Sequence, residues 1–229
     1  MDRLTLFLRP GMSQDRDGPV DPIPSNAPPD IIAGQWGDAW SGNANGLSVP
    51  RNPSRWPATQ GTAIAWFRFP DYPSSAAANA VEIWGSPESD RMWMLQHADF
   101  LSVFRNQDMV ASANIVGTAN PAAWNLYTIR RDGGSVEVFI GTQLVAVGSL
   151  GSFDTASTSP LRMARTQGLG SPAPIQPGAS VHVEAAAFYD TALSDEDIHD
   201  IRTMPEAWTW RSLQGLPPAR PWGYATIIE

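Results

Sequence analysis

The sequence predicts an all-β protein in which two antiparallel sheets pack face to face as a sandwich. Short strand-like runs recur at intervals of about 8 to 15 residues with turn residues between them, a pattern typical of sandwiches and barrels. The chain has 229 residues, of which 42% are hydrophobic. Because all-β domains often exceed 200 residues, this length favours one large domain with enough apolar material for a core.

Ten runs have the composition and spacing of strands. In the run at 135–140, the apolar residues Val136, Val138 and Ile140 fall on one face. Glu137 and Phe139 fall on the other face, so we expect this strand to be covered on one side and partly wet on the other. The ten predicted strands are Thr62–Phe69, Ala80–Trp84, Met92–Gln96, Phe100–Phe104, Met109–Ile115, Trp124–Arg130, Ser135–Ile140, Gln143–Val147, Leu161–Ala164 and Val181–Tyr189.

One short helix is predicted after the last strand, from Ser194 to about Met204. Ser194 has the properties of an N-cap, and Asp197 lies three residues later as a variant of the capping box. Leu193, just before the cap, can pack on Ile198 as a hydrophobic staple. These signals agree on where the helix begins, and the proline after Met204 ends it.

The two ends of the chain differ in composition from its middle. Residues 1–30 begin with a short apolar run and are then rich in proline, which prevents helix and central strand alike, so they are predicted to form an extended arm. Residues 31–204 are predicted to be the sandwich domain, beginning with turns and short edge strands over 31–61. Residues 205–229 form a Trp- and Pro-rich tail, whose tryptophans must bury against this domain or a neighbour.

Composition excludes several classes of function. All 15 basic residues are arginine, 23 residues are acidic and the formal net charge is −8. Nucleic acid is therefore not an expected partner, because phosphate binding needs a cationic face. The absence of lysine excludes a Walker A lysine and a Schiff base, and the absence of cysteine excludes disulfides and thiolate metal sites. No stretch approaches a membrane span, and no signal peptide is predicted at the start.

Two segments resemble a known family. Residues 124–145 (WNLYTIRRDGGSVEVFIGTQLV) resemble a hairpin of the laminin-G-like, concanavalin A-like jelly rolls. Residues 183–198 (VEAAAFYDTALSDEDI) are similar to the strand and capped helix near the end of the same fold. The resemblance implies a jelly-roll sandwich over roughly residues 55–204, with a concave sheet and loop rim that in many relatives bind carbohydrate, sometimes through calcium. The family also contains purely structural modules, so the fold does not settle the function.

Aromatic residues in loop-like sequence are the candidates for sugar binding. Such rings stack on a sugar while polar neighbours fix its hydroxyl groups, although packing in a core or an interface is the alternative for each of them. Aromatic residues within predicted strands, such as Trp66 and Trp124, are assigned to the core. The predicted carbohydrate-binding residues are Trp36, Trp40, Trp56, Tyr72, Arg105 and Asp108.

No cofactor is predicted, and calcium is the one metal that the predicted loops could hold. Four loop aspartates could supply a site of hard oxygen ligands. Ordinary turn chemistry is the alternative interpretation. Gly141-Thr142 also lacks the carboxylate that the family often has at this turn. The four aspartates are Asp71, Asp90, Asp99 and Asp108.

Catalysis is not expected. A glycosidase needs two carboxylates across a cleft, and Glu184 is followed in its strand by three alanines, so that strand cannot supply the pair. His97, His182 and His199 lie in unrelated contexts without the spacing of metal ligands. We assign structural roles to all three histidines.

The combination predicts a non-enzymatic virion protein, such as a bacteriophage head-decoration or fibre-associated subunit that displays a lectin-like domain for surface glycans. The terminal arms would order on other virion subunits in an oligomer or larger assembly, with no membrane partner. Absence of a leader and of disulfides agrees with assembly in the host cytoplasm and location on the virion. The alternatives are a free carbohydrate-binding module or lectin, and a glycoside hydrolase.

Overall fold

The computed structural model describes residues 4–22, 28–42, 46–49, 60–71, 77–82, 92–97, 99–105, 108–149, 161–166, 181–203, 208–209 and 213–214; at 77–82, 92–97, 161–162 and 165–166 only the backbone is described. These residues form sixteen strands and one helix, α1 (Asp195–Thr203). The strands are β1 (Leu4–Leu8), β2 (Gln14–Asp15), β3 (Gly18–Pro19), β4 (Asp30–Ala33), β5 (Asp38–Ser41), β6 (Leu47–Val49), β7 (Gln60–Arg68), β8 (Ala77–Glu82), β9 (Met92–His97), β10 (Phe100–Arg105), β11 (Asp108–Asn114), β12 (Asn125–Asp132), β13 (Ser135–Ile140), β14 (Gln143–Ser149), β15 (Leu161–Thr166) and β16 (His182–Tyr189).

The strands form two antiparallel sheets. Sheet A runs in the order β14-β13-β12-β7-β16-β1-β2-β3, with β5 also paired to β16 and β4 paired to β5. Sheet B runs in the order β11-β10-β9-β8-β15-β6. All ten predicted strands overlap an observed strand, and the bounds of Ser135–Ile140 agree at both ends. The predicted two-sheet, all-β class is confirmed.

Two apolar clusters hold the layers together. The inner cluster joins both sheets, because Phe67 and Ile129 of sheet A and Val103 of sheet B belong to it. The outer cluster lies on the far face of sheet A and contains Ile64 and Trp66 of β7. The alternation of outer and inner residues along β7 is the period of two that an extended strand imposes. Sheet A is therefore apolar on both of its faces.

The far side of β13 is drier than the sequence predicts. Glu137 is partly exposed and bonds Arg130 at 2.7 Å, in agreement with a wet face. Phe139, however, is 4% exposed and belongs to the outer cluster, with the Arg130 guanidinium 4.8 Å from its ring centroid. The prediction is wrong for Phe139 because other chain segments cover this face of the sheet.

Helix α1 begins as its capping signals predict. The Asp197 backbone N–H donates to Ser194 Oγ at 3.1 Å, and the Ser194 backbone N–H donates to the Asp197 carboxylate at 3.1 Å. Leu193 and Ile198 are both buried in the outer cluster, which is the predicted staple. The helix thus lies on the far face of sheet A. Within the described residues, no helix combines the length and the apolar character needed to cross a membrane.

The structure contradicts the predicted N-terminal arm for residues 4–22. Strand β1 is buried along its whole length and pairs with β16 on one side and with β2 on the other. Its sequence, Leu-Thr-Leu-Phe-Leu, has little polar alternation because both of its faces are covered, which is why it does not read as a typical half-exposed strand.

The predicted tail is also part of this domain at two described positions. Trp208 is buried and Leu213 nearly so, and both belong to the outer cluster on sheet A. The Trp208 indole N–H donates to the Ile201 carbonyl at 2.9 Å, which fixes this segment beside α1. The predicted need of the tail tryptophans for a partner surface is thus met at Trp208 by sheet A itself.

Two glycines allow the sheets to meet at opposite edges. A Cβ at Gly148 of β14 would lie 1.8 Å from the carbonyl oxygen of Val110 in β11. A Cβ at Gly42, just after β5, would lie 2.2 Å from the carbonyl oxygen of Ala164 in β15. Both values are far below a van der Waals contact, and in both cases the obstacle is backbone. These positions therefore require glycine because the two sheets approach each other there.

We predict that Gly148→Ala lowers the free energy of unfolding by about 2 kcal/mol or more, because the added methyl group must push β11 away from β14. Urea unfolding followed by tryptophan fluorescence measures the change. Ser149→Ala, at the exposed neighbouring position, is the control and should change stability by less than about 0.5 kcal/mol. Equal stability of the two variants would contradict the close approach.

Candidate functional site

The outer faces of the two sheets differ in how much solvent reaches them. On sheet A, α1, Trp208 and Leu213 cover the outer cluster, and Trp36 packs against it. On sheet B, the outward positions of β10 and β11 include exposed residues, of which Phe100 is 48% and Met109 60% exposed. The central strands of sheet A are therefore closed to a ligand on this side, whereas Ile31, Leu144 and Val147 on its outlying strands β4 and β14 are exposed. On sheet B the exposed residues lie on two adjacent strands, β10 and β11.

A buried carboxylate holds the cover of sheet A in place. Glu184 is 1% exposed and is the extra residue of a bulge in the pairing of β16 with β7. Its two carboxylate oxygens accept the backbone N–H groups of Gln35 at 2.8 Å and Trp36 at 2.6 Å. A Cβ at Gly34 would lie 2.8 Å from the Glu184 carboxyl carbon, so the loop needs glycine there to come this close.

Arg9 ties the same loop to the C-terminal part of the chain. One guanidinium nitrogen donates to the Trp36 carbonyl and another to the Trp208 carbonyl, each at 3.2 Å. The Trp36 ring lies 4.5 Å from the ring of Trp66, edge to face. Three distant parts of the chain thus converge on this face of sheet A, and Glu184 and Arg9 serve to join them.

The two predicted aromatic site residues that the structure describes, Trp36 and Trp40, lie in different apolar clusters. Trp40 is 1% exposed in the inner cluster, so it cannot stack on a sugar, and this prediction is corrected. Trp36 is half-buried and packs on Trp66, as part of the cover of sheet A. Trp56 and Tyr72 lie outside the described residues. The sequence around Trp40 is typical of a loop, but it forms strand β5, in which Ala39 and Trp40 are buried.

Arg105 and Asp108 lie opposite each other in sheet B, at the paired ends of β10 and β11. Asp108 is exposed and Arg105 half-buried. Burial, and secondly the positive charge of Arg105, lower the pKa of the buried Arg131 to about 10. Arg131 lies two residues after Ile129 and so on the same, inner face of β12. The charge of Arg105 therefore acts on a group between the two sheets, and Asp108 lies at the edge of the exposed residues of β11.

Six uncharged side chains of β10 and β11 share the outward side of sheet B; Phe100, Met109, Ser112 and Asn114 are exposed, Phe104 is half-buried and Ser102 is buried. We define the β10–β11 face as Phe100, Ser102, Phe104, Met109, Ser112 and Asn114. Register pairs Phe100 with Asn114, Ser102 with Ser112 and Phe104 with Met109. Their chain neighbours Leu101, Val103 and Ala111 belong to the inner cluster, so the six face outward. Alternation along β10 places Phe100, Ser102 and Phe104 on one face, but both alternating sets are mostly apolar, so the sequence does not show which face is exposed.

The two hydroxyl groups of the β10–β11 face lie between the positions of Phe100 and Phe104. Ser102 Oγ and Ser112 Oγ lie 2.8 Å apart, and one of the two hydroxyl groups donates to the other. The Asn114 side-chain oxygen accepts the Val116 backbone N–H at 2.9 Å, which fixes the amide at the rim of the face. Beyond β10, the register positions opposite Phe100 and Phe104 on β9 are His97 and Trp93.

The three loop aspartates that the structure describes do not converge on a metal site. Asp99 precedes β10 and Asp108 begins β11, so they lie at opposite ends of a six-residue strand, about 20 Å in length. Asp71 follows β7 in the other sheet. Asp90 lies outside the described residues. Among the residues that the structure describes, no group of three or more acidic or histidine side chains could hold a metal ion.

One further row of polar side chains lies at the end of sheet A. His182 pairs with Arg68, and the Arg68 guanidinium lies 5.8 Å from the ring centroid of Trp124. Burial, and secondly the charge of Arg68, lower the pKa of His182 below its usual 6.5, while Asp71 acts in the opposite direction. His182 is thus held neutral near pH 7, which agrees with the structural role assigned to it.

Comparisons with known proteins agree with the geometry. A family model described as "Concanavalin A-like lectin/glucanases superfamily" matches residues 41–199. A search of curated proteins finds no match. Similar solved structures include the receptor binding domain of botulinum neurotoxin D, with a TM-score of 0.65 at 11% identity over 88% of this chain and 52% of that one.

Two further structures are similar in the same way. The binding domain of Paraclostridial Mosquitocidal Protein 1 has a TM-score of 0.65 at 13% identity and covers 88% of this chain and 52% of that one. The botulinum neurotoxin serotype D ligand binding domain in complex with N-acetylneuraminic acid has a TM-score of 0.62 at 11% identity, over 88% and 51%. The chain spans about half the length of these proteins, and at such identities the likeness shows the fold.

We predict that Glu184→Gln lowers the free energy of unfolding by about 2 kcal/mol, because a carboxamide can accept from only one of the two backbone N–H groups and presents a donor to the other. Urea unfolding measures the loss. Glu196→Gln on the exposed side of α1 is the control and should cost a few tenths of a kcal/mol. Unchanged stability of Glu184→Gln would show that the loop is held by other contacts.

We predict that the His182 imidazole, followed by NMR, titrates below 6.5, that Arg68→Gln raises its pKa and that Asp71→Asn lowers it further. Since the folded pKa is lowered, the unfolded chain binds the proton more readily, and His182 reduces stability as the pH falls below 6.5. Asp200→Asn on α1 is the control. A pKa of His182 that does not respond to Arg68→Gln would refute this account.

Proposed function

Because the chain belongs to the concanavalin A-like lectin/glucanase superfamily, we propose that it is a non-enzymatic, lectin-like binding domain whose β10–β11 face binds carbohydrate. The observation that carries the proposal is the difference between the two outer faces. The central strands of sheet A are covered by segments of its own chain, and β10 and β11 of sheet B present the exposed side chains of Phe100, Ser112 and Asn114 close together.

The chemistry of the β10–β11 face suits a sugar. The apolar face of a sugar ring packs on an aromatic ring, and Phe100 is the exposed ring here. Sugar hydroxyl groups need partners that both donate and accept, and the Ser102–Ser112 pair can do both because hydroxyl groups rotate. Few, well-placed polar groups on an apolar surface are typical of small-molecule sites.

We also propose that this domain does not catalyse glycoside hydrolysis. Glu184, the acidic residue that a glycosidase on β16 would use, is buried and accepts two backbone N–H groups. It is therefore committed to the structure. Solved structures similar to this chain are described as binding domains, one of them with N-acetylneuraminic acid and another with rat synaptotagmin II. Those ligands belong to proteins of which this chain covers about half.

The virion role stays a prediction, and the segments described below no longer support it. Residues 4–22 and Trp208 are part of the sandwich and so are not arms that await a partner. Attachment to other virion subunits would have to use other segments. Location on a virion and assembly with other subunits depend on that attachment, and protease protection of the chain in a particle, compared with the isolated protein, would measure it.

We predict that Phe100→Ala reduces glycan binding about tenfold, because the truncated side chain no longer offers a ring for stacking. A glycan array followed by calorimetry on the best neutral and acidic hits measures the effect. Ile31→Ala is the matched control, since Ile31 is similarly exposed at 52% but lies in β4 on sheet A. Binding that is equal in both variants, or a blank array, would overturn the proposed function.

A further inference from the structure

The two aromatic side chains of β10, Phe100 and Phe104, are farther apart along the strand than the length of one sugar ring. Phe100 and Phe104 lie four residues apart on the same face, which in an extended strand is about 14 Å. The pairing of β10 with β9 shows no register shift over all six residues, so the strand is regular between them. One monosaccharide cannot contact both rings at once.

The space between the two rings is lined by hydroxyl groups. Ser102 lies midway between Phe100 and Phe104, and its Oγ is 2.8 Å from Ser112 Oγ on β11. Ser102 is only 8% exposed, whereas Ser112 is exposed, so Ser112 is the hydroxyl group of the pair that a ligand oxygen can reach. An apolar contact, a hydroxyl contact and a second apolar contact thus follow one another along β10.

None of the six side chains of the β10–β11 face carries a charge, although the chain has a net charge of −8. An acidic ligand would gain no cationic partner from these six residues and would approach against the overall negative potential. Its carboxylate would also lose hydration next to the aromatic rings without compensation. The composition of this face therefore favours uncharged ligands.

We propose that the β10–β11 face takes a neutral oligosaccharide that extends along β10 and contacts Phe100 and Phe104 at the same time. This inference rests on the proposed carbohydrate-binding function and specifies the length and charge of the ligand. Once one end of the oligosaccharide is bound to the first ring, its contact with the second ring is intramolecular. Affinity therefore increases with the length of the oligosaccharide until both rings are occupied. Beyond that length, added sugars contribute little.

The test uses fragments of one to six sugars from five neutral polymers, namely cello-, laminari-, xylo-, manno- and galacto-oligosaccharides, together with oligogalacturonates of the same lengths. Calorimetry with the full chain measures each affinity. We expect at least one neutral series to gain tenfold or more between the monosaccharide and the fragment that spans both rings, and then to level off. The oligogalacturonates should bind more weakly than that series at every length.

Variants assign the length dependence to the two rings. Phe100→Ala and Phe104→Leu should each reduce the gain with length to less than about threefold, and Phe104→Leu keeps apolar bulk so that the half-buried position stays packed. Ile31→Ala on sheet A should leave the gain unchanged. Far-UV circular dichroism and urea unfolding of each variant establish that the comparison is made between folded proteins.

The outcomes separate this inference from the proposed function. If a neutral series binds at the β10–β11 face but the monosaccharide binds as tightly as the hexasaccharide, the extended mode is wrong and carbohydrate binding stands. If only the oligogalacturonates bind, the neutral specificity is wrong. If none of the six series binds and the glycan array is also blank, the carbohydrate-binding function itself is wrong.

Discussion

The carboxylate of Glu184 anchors one of the segments that cover sheet A. It lies at a bulge of β16, buried, and accepts two backbone N–H groups of the loop that carries Trp36. A buried carboxylate is costly unless such partners satisfy it. With the loop in place, Trp36 packs on Trp66, and Arg9 joins the loop to Trp208. Glu184 and Arg9 thus hold Trp36 and the segment of Trp208 against the outer cluster of sheet A.

The sequence predicts those parts of the fold in which local pattern and tertiary environment agree. The hairpin from β12 to β14 and the capped start of α1 have clear local signals, and both are observed. Strand β1 is different, because a strand buried on both faces loses its alternation and resembles any short apolar run. Proline-rich sequence after β1 strengthened the wrong interpretation, although Pro10 lies in a turn and Pro19 in the short edge strand β3.

The candidate site was harder to predict because the same residue types serve packing and binding. Trp40 lies among Gly, Asn and Asp residues, as loop aromatics do, and yet its ring is buried between the sheets. Phe100 begins a predicted strand and was not among the candidate site residues, and yet its ring is nearly half-exposed. What distinguishes them is whether another part of the chain covers their face of the sheet. Coverage of a face is a long-range property, and no local sequence pattern contains it.

Separation of the two faces also explains how this fold can carry a binding site at little cost to stability. Residues that hold the sheets together lie in the inner cluster or at backbone contacts such as Gly148 with Val110. Those that would contact a ligand, such as Phe100 and Ser112, are exposed on the far side of sheet B. Exposed side chains can change without opening the core, so ligand preference on this face is free to vary while the sandwich stays the same. Function in this chain therefore has to be inferred from the chemistry of the β10–β11 face.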